Sequence, residues 1–158
     1  MRESGAGSQV TIEQLLADAR RTLVRLTPSR AHAAMRRGAL LVDIRGDAQR
    51  DRDGLIPGAR YIARNVLEWR CDPASAWRDP ELGRRDAHVM LICDEGYQSS
   101  LAAATLQRFG LYDATDVIGG FQAWRADGLP VTGPADPEAR TAGIEPATFG
   151  SGDRRSIP

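Results

Sequence analysis

Two short apolar runs set the strongest limit on what this chain can fold into: Ala39-Leu40-Leu41-Val42-Asp43-Ile44 and His88-Val89-Met90-Leu91-Ile92. Neither alternates apolar with polar residues, so neither has a face meant for water. Runs of this length that are apolar nearly throughout read as strands buried on both sides. Such strands need helices above and below them, and helical patterns stand before, between and after the two runs. The alternation predicts an α/β domain with a small, mostly parallel sheet and helices on both faces.

The first helical pattern opens with Thr11 and Gln14 in capping-box spacing. Ile12, Leu15, Leu16, Ala19, Leu23 and Leu26 follow at steps of three and four. They predict an N-terminal amphipathic helix over 11–26. Its apolar stripe needs a partner. The domain's own core is the expectation, and a second copy of the chain, giving a homodimer through this helix, is the alternative. Thr27-Pro28 starts a second helix that runs to Arg37 and stops at Gly38. A short exposed helix fits 46–53, Asn65 is placed to cap a helix through Trp69, and the polar residues 71–86 read as a surface excursion. Ser99 to Phe109 forms a helix begun by serine and closed by Gly110. Asp116-Val117-Ile118 reads as a strand, and Gly119-Gly120 turns into a helix over 121–126. The resulting map is a flexible N-terminus at 1–9, one domain at 10–132 and a disordered tail at 133–158, where apolar residues are too few to offset the entropy of ordering.

A chain of 158 residues suits one such domain. Its 21 basic and 21 acidic side chains cancel, and no basic stripe is present, which argues against a nucleic-acid partner. No stretch approaches the roughly 18 to 20 apolar residues that span a bilayer, so no membrane association is expected. The first residues, MRESGAGSQVTIEQ, lack the apolar segment of an export signal, and the expected location is cytoplasmic, where thiols stay reduced. Cys71 and Cys93 form no CxxC pair, and His32 and His88 are the only histidines, so neither a metal nor a cofactor is expected.

Cys93 follows the second apolar run directly, and the loop Asp94 to Gln98 leads from it to the helix at Ser99. The C-terminal end of a parallel strand is where α/β folds place their ligands. Backbone N–H groups of such a loop can converge on one point, and the helix N-terminus adds a positive partial charge. Both favour thiolate, the reactive form of cysteine. Gly96 gives the loop backbone angles closed to other residues.

At this point the chain resembles the rhodanese family, over roughly Thr27 to Thr132. Leu41-Val42-Asp43-Ile44-Arg45 is similar to the family's first signature. Gly54-Leu55-Ile56-Pro57-Gly58-Ala59 resembles G-H-I-P-G-A. Cys93-Asp94-Glu95-Gly96-Tyr97-Gln98-Ser99 resembles the loop C-x-x-G-x-R-S, and Gly119-Gly120-Phe121-Gln122-Ala123-Trp124 matches G-G-x-x-x-W. The resemblance implies a rhodanese-like fold and a sulfurtransferase. Its Cys93 thiolate would take the outer sulfur of thiosulfate or a persulfide and pass it from a Cys93 persulfide to cyanide or a thiol. It implies Asp94, Glu95, Gly96, Tyr97, Gln98 and Ser99 as the binding loop, with Arg64 facing Cys93 from the pocket lining. Asp43 is expected to brace the loop through backbone hydrogen bonds, with Arg45 as structural support or a solvated charge. Cys71, in a polar segment, reads as a bystander.

The chain also departs from the family pattern. Leu55 replaces a His, and Gln98 stands where Arg is common. Asp94 and Glu95 add negative charge beside the sulfur, so an anionic donor is expected to be disfavoured. Two other functions compete. A phosphatase of the related C-x5-R type lacks its arginine here, because Ser99 holds the sixth position after Cys93 and its neighbours are Gln98 and Ser100. A non-catalytic interaction or sulfur-sensing module keeps the fold without turnover.

Overall fold

The structure is a computed structural model and describes residues 7–133. Four strands form one sheet: β1 (Leu40–Asp43), β2 (Arg60–Tyr61), β3 (Val89–Ile92) and β4 (Thr115–Asp116). Their order is β2-β1-β3-β4 and every neighbouring pair is parallel. The α-helices among the described residues are α1 (Ile12–Arg21), α2 (Pro28–Met35), α3 (Asp47–Asp53), α4 (Leu67–Cys71), α5 (Gln98–Arg108) and α6 (Gly120–Ala126).

Strand residues alternate between two cores because successive side chains point to opposite faces. Val42, Val89 and Leu91 pack with Leu67 and Cys71 of α4 and with Ala102, Ala103 and Leu106 of α5. Leu41, Met90 and Ile92 pack with Ala31 and Ala34 of α2 and with Phe121 and Trp124 of α6. Both strands therefore read as apolar runs, and the predicted sheet with helices on both faces is the one observed. Truncating Leu91, which is wholly buried, to alanine would cost about 3 kcal/mol.

The N-terminal helix is shorter than its periodicity predicts. It ends at Arg21, where Thr22 caps it and donates its hydroxyl to Ala19 O. Beyond that point Leu26 pairs in parallel with Val117. Its N–H donates to Asp116 O at 3.1 Å and its carbonyl accepts from Ile118 N at 2.8 Å. Leu23 is buried and Leu26 partly buried, but as extended chain at the sheet edge rather than as helix. Within α1 no residue is buried. The helix rests against α5, while Ile12 and Leu15 keep 59% and 50% of their surface exposed. Of the six stripe residues, Leu23 and Leu26 join the core, Leu16 and Ala19 are half-buried, and Ile12 and Leu15 stay exposed.

Other boundaries differ for local reasons. A 3-10 turn at Arg64–Val66 precedes α4, so Val66, not Asn65, holds the capping position. α5 begins at Gln98 with Tyr97 before it and no side-chain cap, because the Ser99 and Ser100 hydroxyls are committed elsewhere. The strand expected at 116–118 is Thr115–Asp116. The excursion at 71–86 is polar, yet it is anchored by buried Cys71, Leu82 and Asp79. Asp79 accepts from Arg60 and from the N–H groups of Glu81 and Leu82. Near the end of the domain, Leu55 and Thr132 pair in antiparallel fashion. The disordered tail expected from residue 133 falls on 134–158, and most of the flexible N-terminus on 1–6, both outside the described residues.

Candidate active site

Cys93 directly follows β3 as a buried residue with 6% exposure. The loop after it curls back so that Gly96 N–H donates to Cys93 Sγ at 3.1 Å. Gly96 has φ +85°, and a Cβ there would lie 2.7 Å from Gly119 N. The Gly119-Gly120 turn presses on the loop from the other side: a Cβ on Gly120 would lie 2.6 Å from Cys93 O. That closeness lets Phe121 N donate to Cys93 O at 2.8 Å and Gln122 N to Asp94 O at 3.0 Å. The strand end, the loop and the start of α6 are therefore one rigid unit, with glycine where any side chain would push them apart.

Below the loop lies a buried hydroxyl and carboxylate network. Cys93 Sγ donates to Ser99 Oγ at 3.2 Å, and Ser99 Oγ donates to Asp116 Oδ2 at 2.8 Å. Ser100 Oγ donates to the same oxygen at 2.7 Å. Asp116 is wholly buried, and Arg25 holds it with a two-pronged ion pair at 2.8 and 3.1 Å. A buried carboxylate persists as an ion only when paired in this way.

Two guanidinium groups close the network. Arg20 Nη2 and Arg25 Nη2 both donate to Gly96 O, at 2.8 and 3.0 Å, and Arg20 Nε donates to Ser100 Oγ at 3.1 Å. Holding the Gly96 carbonyl from this side fixes the loop's peptide orientation. Arg20, Arg25, Ser100 and Asp116 were missed by sequence reasoning. Asp116 did carry a signal, since a carboxylate in a short apolar strand must find buried partners. Arg20 and Arg25 carried none: they lie more than 70 residues from Gly96 in sequence.

The residues singled out from sequence divide into those the structure gathers and those it does not. Cys93, Gly96 and Ser99 converge on the sulfur. Asp94 Oδ1 turns to the Gln122 side-chain amide at 3.0 Å, while Glu95, Tyr97 and Gln98 are exposed on the loop rim. Arg64 pairs with Glu68 at 2.7 Å and lines a separate concavity of about 550 Å³ with Asn65, Trp69, Asp72 and Phe109. Its i,i+4 position beside Glu68 on the turn into α4 directs it there. Asp43 does not reach the loop. Its carboxylate accepts from Arg45 N, Nε and Nη2 and pairs with Arg50 at 3.6 Å. Arg45 is buried rather than solvated: it donates to Gly54 O at 2.8 Å and stacks 3.7 Å from the Phe121 ring centre. Asp43 and Arg45 thus brace the Gly54 turn and α6, and the loop only through α6.

Cys71 is also buried. Burial, with Asp79 and Glu68 nearby, pushes its thiol up to about 12. Among the described residues, no group of three or more His, Cys, Asp or Glu side chains is gathered as a metal site. No helix among them is long and apolar enough to cross a membrane.

A cysteine at the end of a central parallel strand, cradled by a loop N–H and backed by a buried hydroxyl, defines an α/β domain built for cysteine nucleophile chemistry. The family model for the rhodanese-like domain matches residues 27–127. This chain belongs to that family. A thiosulfate sulfurtransferase GlpE from Pseudomonas putida is 36% identical over 103 residues, covering 65% of this chain and 84% of its own length. Among solved structures, a Rhodopseudomonas palustris protein of unknown function, described as a possible tyrosine phosphatase, is 35% identical with a TM-score of 0.72, covering 78% of this chain and 96% of its own. The polysulfide-sulfur transferase homodimer of Wolinella succinogenes shares the fold at 22% identity and a TM-score of 0.57, covering 75% of this chain and 84% of its own.

Proposed function

We propose that this chain is a rhodanese-type sulfurtransferase whose carrier is a persulfide on Cys93. The observation that carries the reading is the Gly96 N–H aimed at Cys93 Sγ from a loop that the chain holds rigid on both sides. The relatives named for thiosulfate sulfur transfer support it. Deprotonated Sγ attacks the outer sulfur of the donor. With thiosulfate, the new Sγ–S bond forms as the S–S bond of the donor breaks, and sulfite leaves with the bonding pair. The loop amide that faced Sγ then stabilises charge on the persulfide. An acceptor such as cyanide or a thiol attacks the outer sulfur and Cys93 returns as thiolate, so the two half-reactions share one covalent intermediate.

Ser99 has a defined part. Because its proton goes to Asp116, Ser99 Oγ accepts from the Cys93 thiol in the resting state. On ionisation that hydroxyl has only to turn to donate to sulfur. The reading includes a small-molecule donor and acceptor, a cytoplasmic location in which Cys71 and Cys93 remain free thiols, and a homodimer through the exposed Ile12 and Leu15 of α1.

One experiment separates the alternatives. The protein is treated with thiosulfate and the Cys93 peptide is weighed by mass spectrometry, then cyanide is added and thiocyanate measured. A gain of one sulfur followed by turnover is expected. Persulfide without turnover would make the domain a sulfur-sensing module. No persulfide, but hydrolysis of p-nitrophenyl phosphate, would favour the activity suggested for the Rhodopseudomonas palustris neighbour.

A further inference from the structure

The family match begins at residue 27, yet Arg20 and Arg25 reach the loop from before it. The two arginines are not equivalent. Arg25 is matched by Asp116, so the pair adds little net charge. None of the described carboxylates lies within ion-pairing distance of Arg20, whose contacts are Gly96 O, Ser100 Oγ and the Tyr97 ring at 5.7 Å. The acidic groups of the loop are turned aside: Asp94 to Gln122, whose amide also reaches Asp53, and Glu95 to solvent. Asp53 itself is held by Arg52. The path Sγ to Gly96 N to Gly96 O to Arg20 Nη2, laid out straight, puts the guanidinium no more than about 10 Å from the sulfur.

We propose that Arg20 is the specificity-determining cation of this site. Supplied by α1, it stands in for the arginine that Gln98 lacks within the loop, and it selects an anionic sulfane-sulfur donor over a neutral one. This deepens the sulfurtransferase reading and rests on it for the identity of the substrate, but not for the charge effect. It also reverses the expectation, drawn from Gln98, Asp94 and Glu95, that the loop disfavours anions. Arg20 is a positioning residue as well, because it helps fix the Gly96 carbonyl.

The test compares alkylation of Cys93 by anionic iodoacetate and neutral iodoacetamide. Their rate ratio cancels the fraction of thiolate and any general loosening of the loop, and so reads local potential alone. The ratio in the native protein is expected to fall as salt rises from about 10 mM to about 500 mM. Arg20→Gln should lower it about threefold at the lower salt and flatten the salt dependence, while Arg20→Lys should keep most of it. In turnover, Arg20→Gln should raise KM for thiosulfate more than for an uncharged organic trisulfide donor. An unchanged ratio in folded Arg20→Gln at low salt overturns the proposal. If that variant does not fold, a salt-independent ratio in the native protein overturns it equally. A shifted ratio in a protein that forms no persulfide would retire the sulfurtransferase reading and leave the role of Arg20 as an anion selector standing.

Discussion

Cys71 and Cys93 are both free, both buried, and each sits at the end of a short element, α4 for one and β3 for the other. Their surroundings oppose each other. Around Cys71 the structure offers apolar packing and two carboxylates, which together push its thiol up to about 12. Around Cys93 it offers a backbone N–H aimed at the sulfur, a turnable hydroxyl and two guanidinium groups one peptide away. Burial by itself makes a cysteine inert. Burial with donors aimed at the sulfur makes a nucleophile. Each site also has its own buried aspartate, Asp79 for Cys71 and Asp116 for Cys93, which holds the local arginines in place.

The sharpest way to break this contrast is to exchange the roles of the two thiols. Cys93→Ser should lower sulfur transfer by a factor on the order of 10³ or more, because the nucleophile is gone while the loop N–H keeps an acceptor. Cys71→Ala should leave turnover per folded molecule within about twofold and cost about 1–2 kcal/mol of stability. Thiocyanate production and urea unfolding measure both. Wild-type turnover in Cys93→Ser would end the contrast.

The second test uses pH. The folded-state value of Cys71 lies above its ordinary value of 9.0, at about 12. Its contribution to stability is therefore fully present below about pH 9 and is lost as pH rises through about 12, since only the unfolded chain ionises easily in that window. The loss reaches up to ~4 kcal/mol by the upper end. Cys71→Ala should remove this part of the alkaline slope, which unfolding curves at stepped pH would detect. An identical slope in the variant would mean that Cys71 is not shielded as described.

A third comparison sets the two aspartates side by side. Asp116→Asn leaves Arg25 without its ion pair and weakens the serine network, and should cost about 2–3 kcal/mol. Asp79→Asn should cost a similar amount through Arg60. Only Asp116→Asn should also reduce turnover per folded molecule, because only Asp116 orients Ser99 behind the nucleophile. Equal turnover in the two variants would count against that orienting role.

The smallest effect concerns the exposed rim. Gln98→Arg adds a charge at a solvated position, worth less than about 1 kcal/mol. It should lower KM for thiosulfate by about twofold at low ionic strength and have no measurable effect on the reactivity of Cys71. Steady-state kinetics at two salt concentrations would show it, and a gain that persists undiminished at high salt would point to loop shape rather than charge.

The parallel sheet, the cysteine at the end of its central strand and the glycine-bearing turns were legible from sequence because each depends on neighbours in the chain. An apolar run with no polar alternation has to be covered on both faces, and the Gly119-Gly120 pair marks a turn into a helix, although only the structure shows how closely it presses on the loop. The N-terminal helix was legible in kind but not in length. Its periodicity continues through Leu23 and Leu26, and only the backbone bonds that Leu26 makes with Asp116 and Ile118 stop the helix at Arg21. Asp43 was misread for a related reason: a buried aspartate after a strand has to bond something, but its own neighbour Arg45 satisfies it before the loop is reached.

By itself, then, the sequence determined the class of fold and pointed to Cys93 and its loop as the candidate site, because periodicity, glycine placement and the strand-to-helix turn are properties of short segments. The tertiary structure alone decided which charges surround the sulfur. Arg20, Arg25 and Asp116 reach the loop from the first helix, the segment after it and the fourth strand. A guanidinium has no preference for one partner over another until folding sets a carbonyl or a carboxylate within about 3 Å of it.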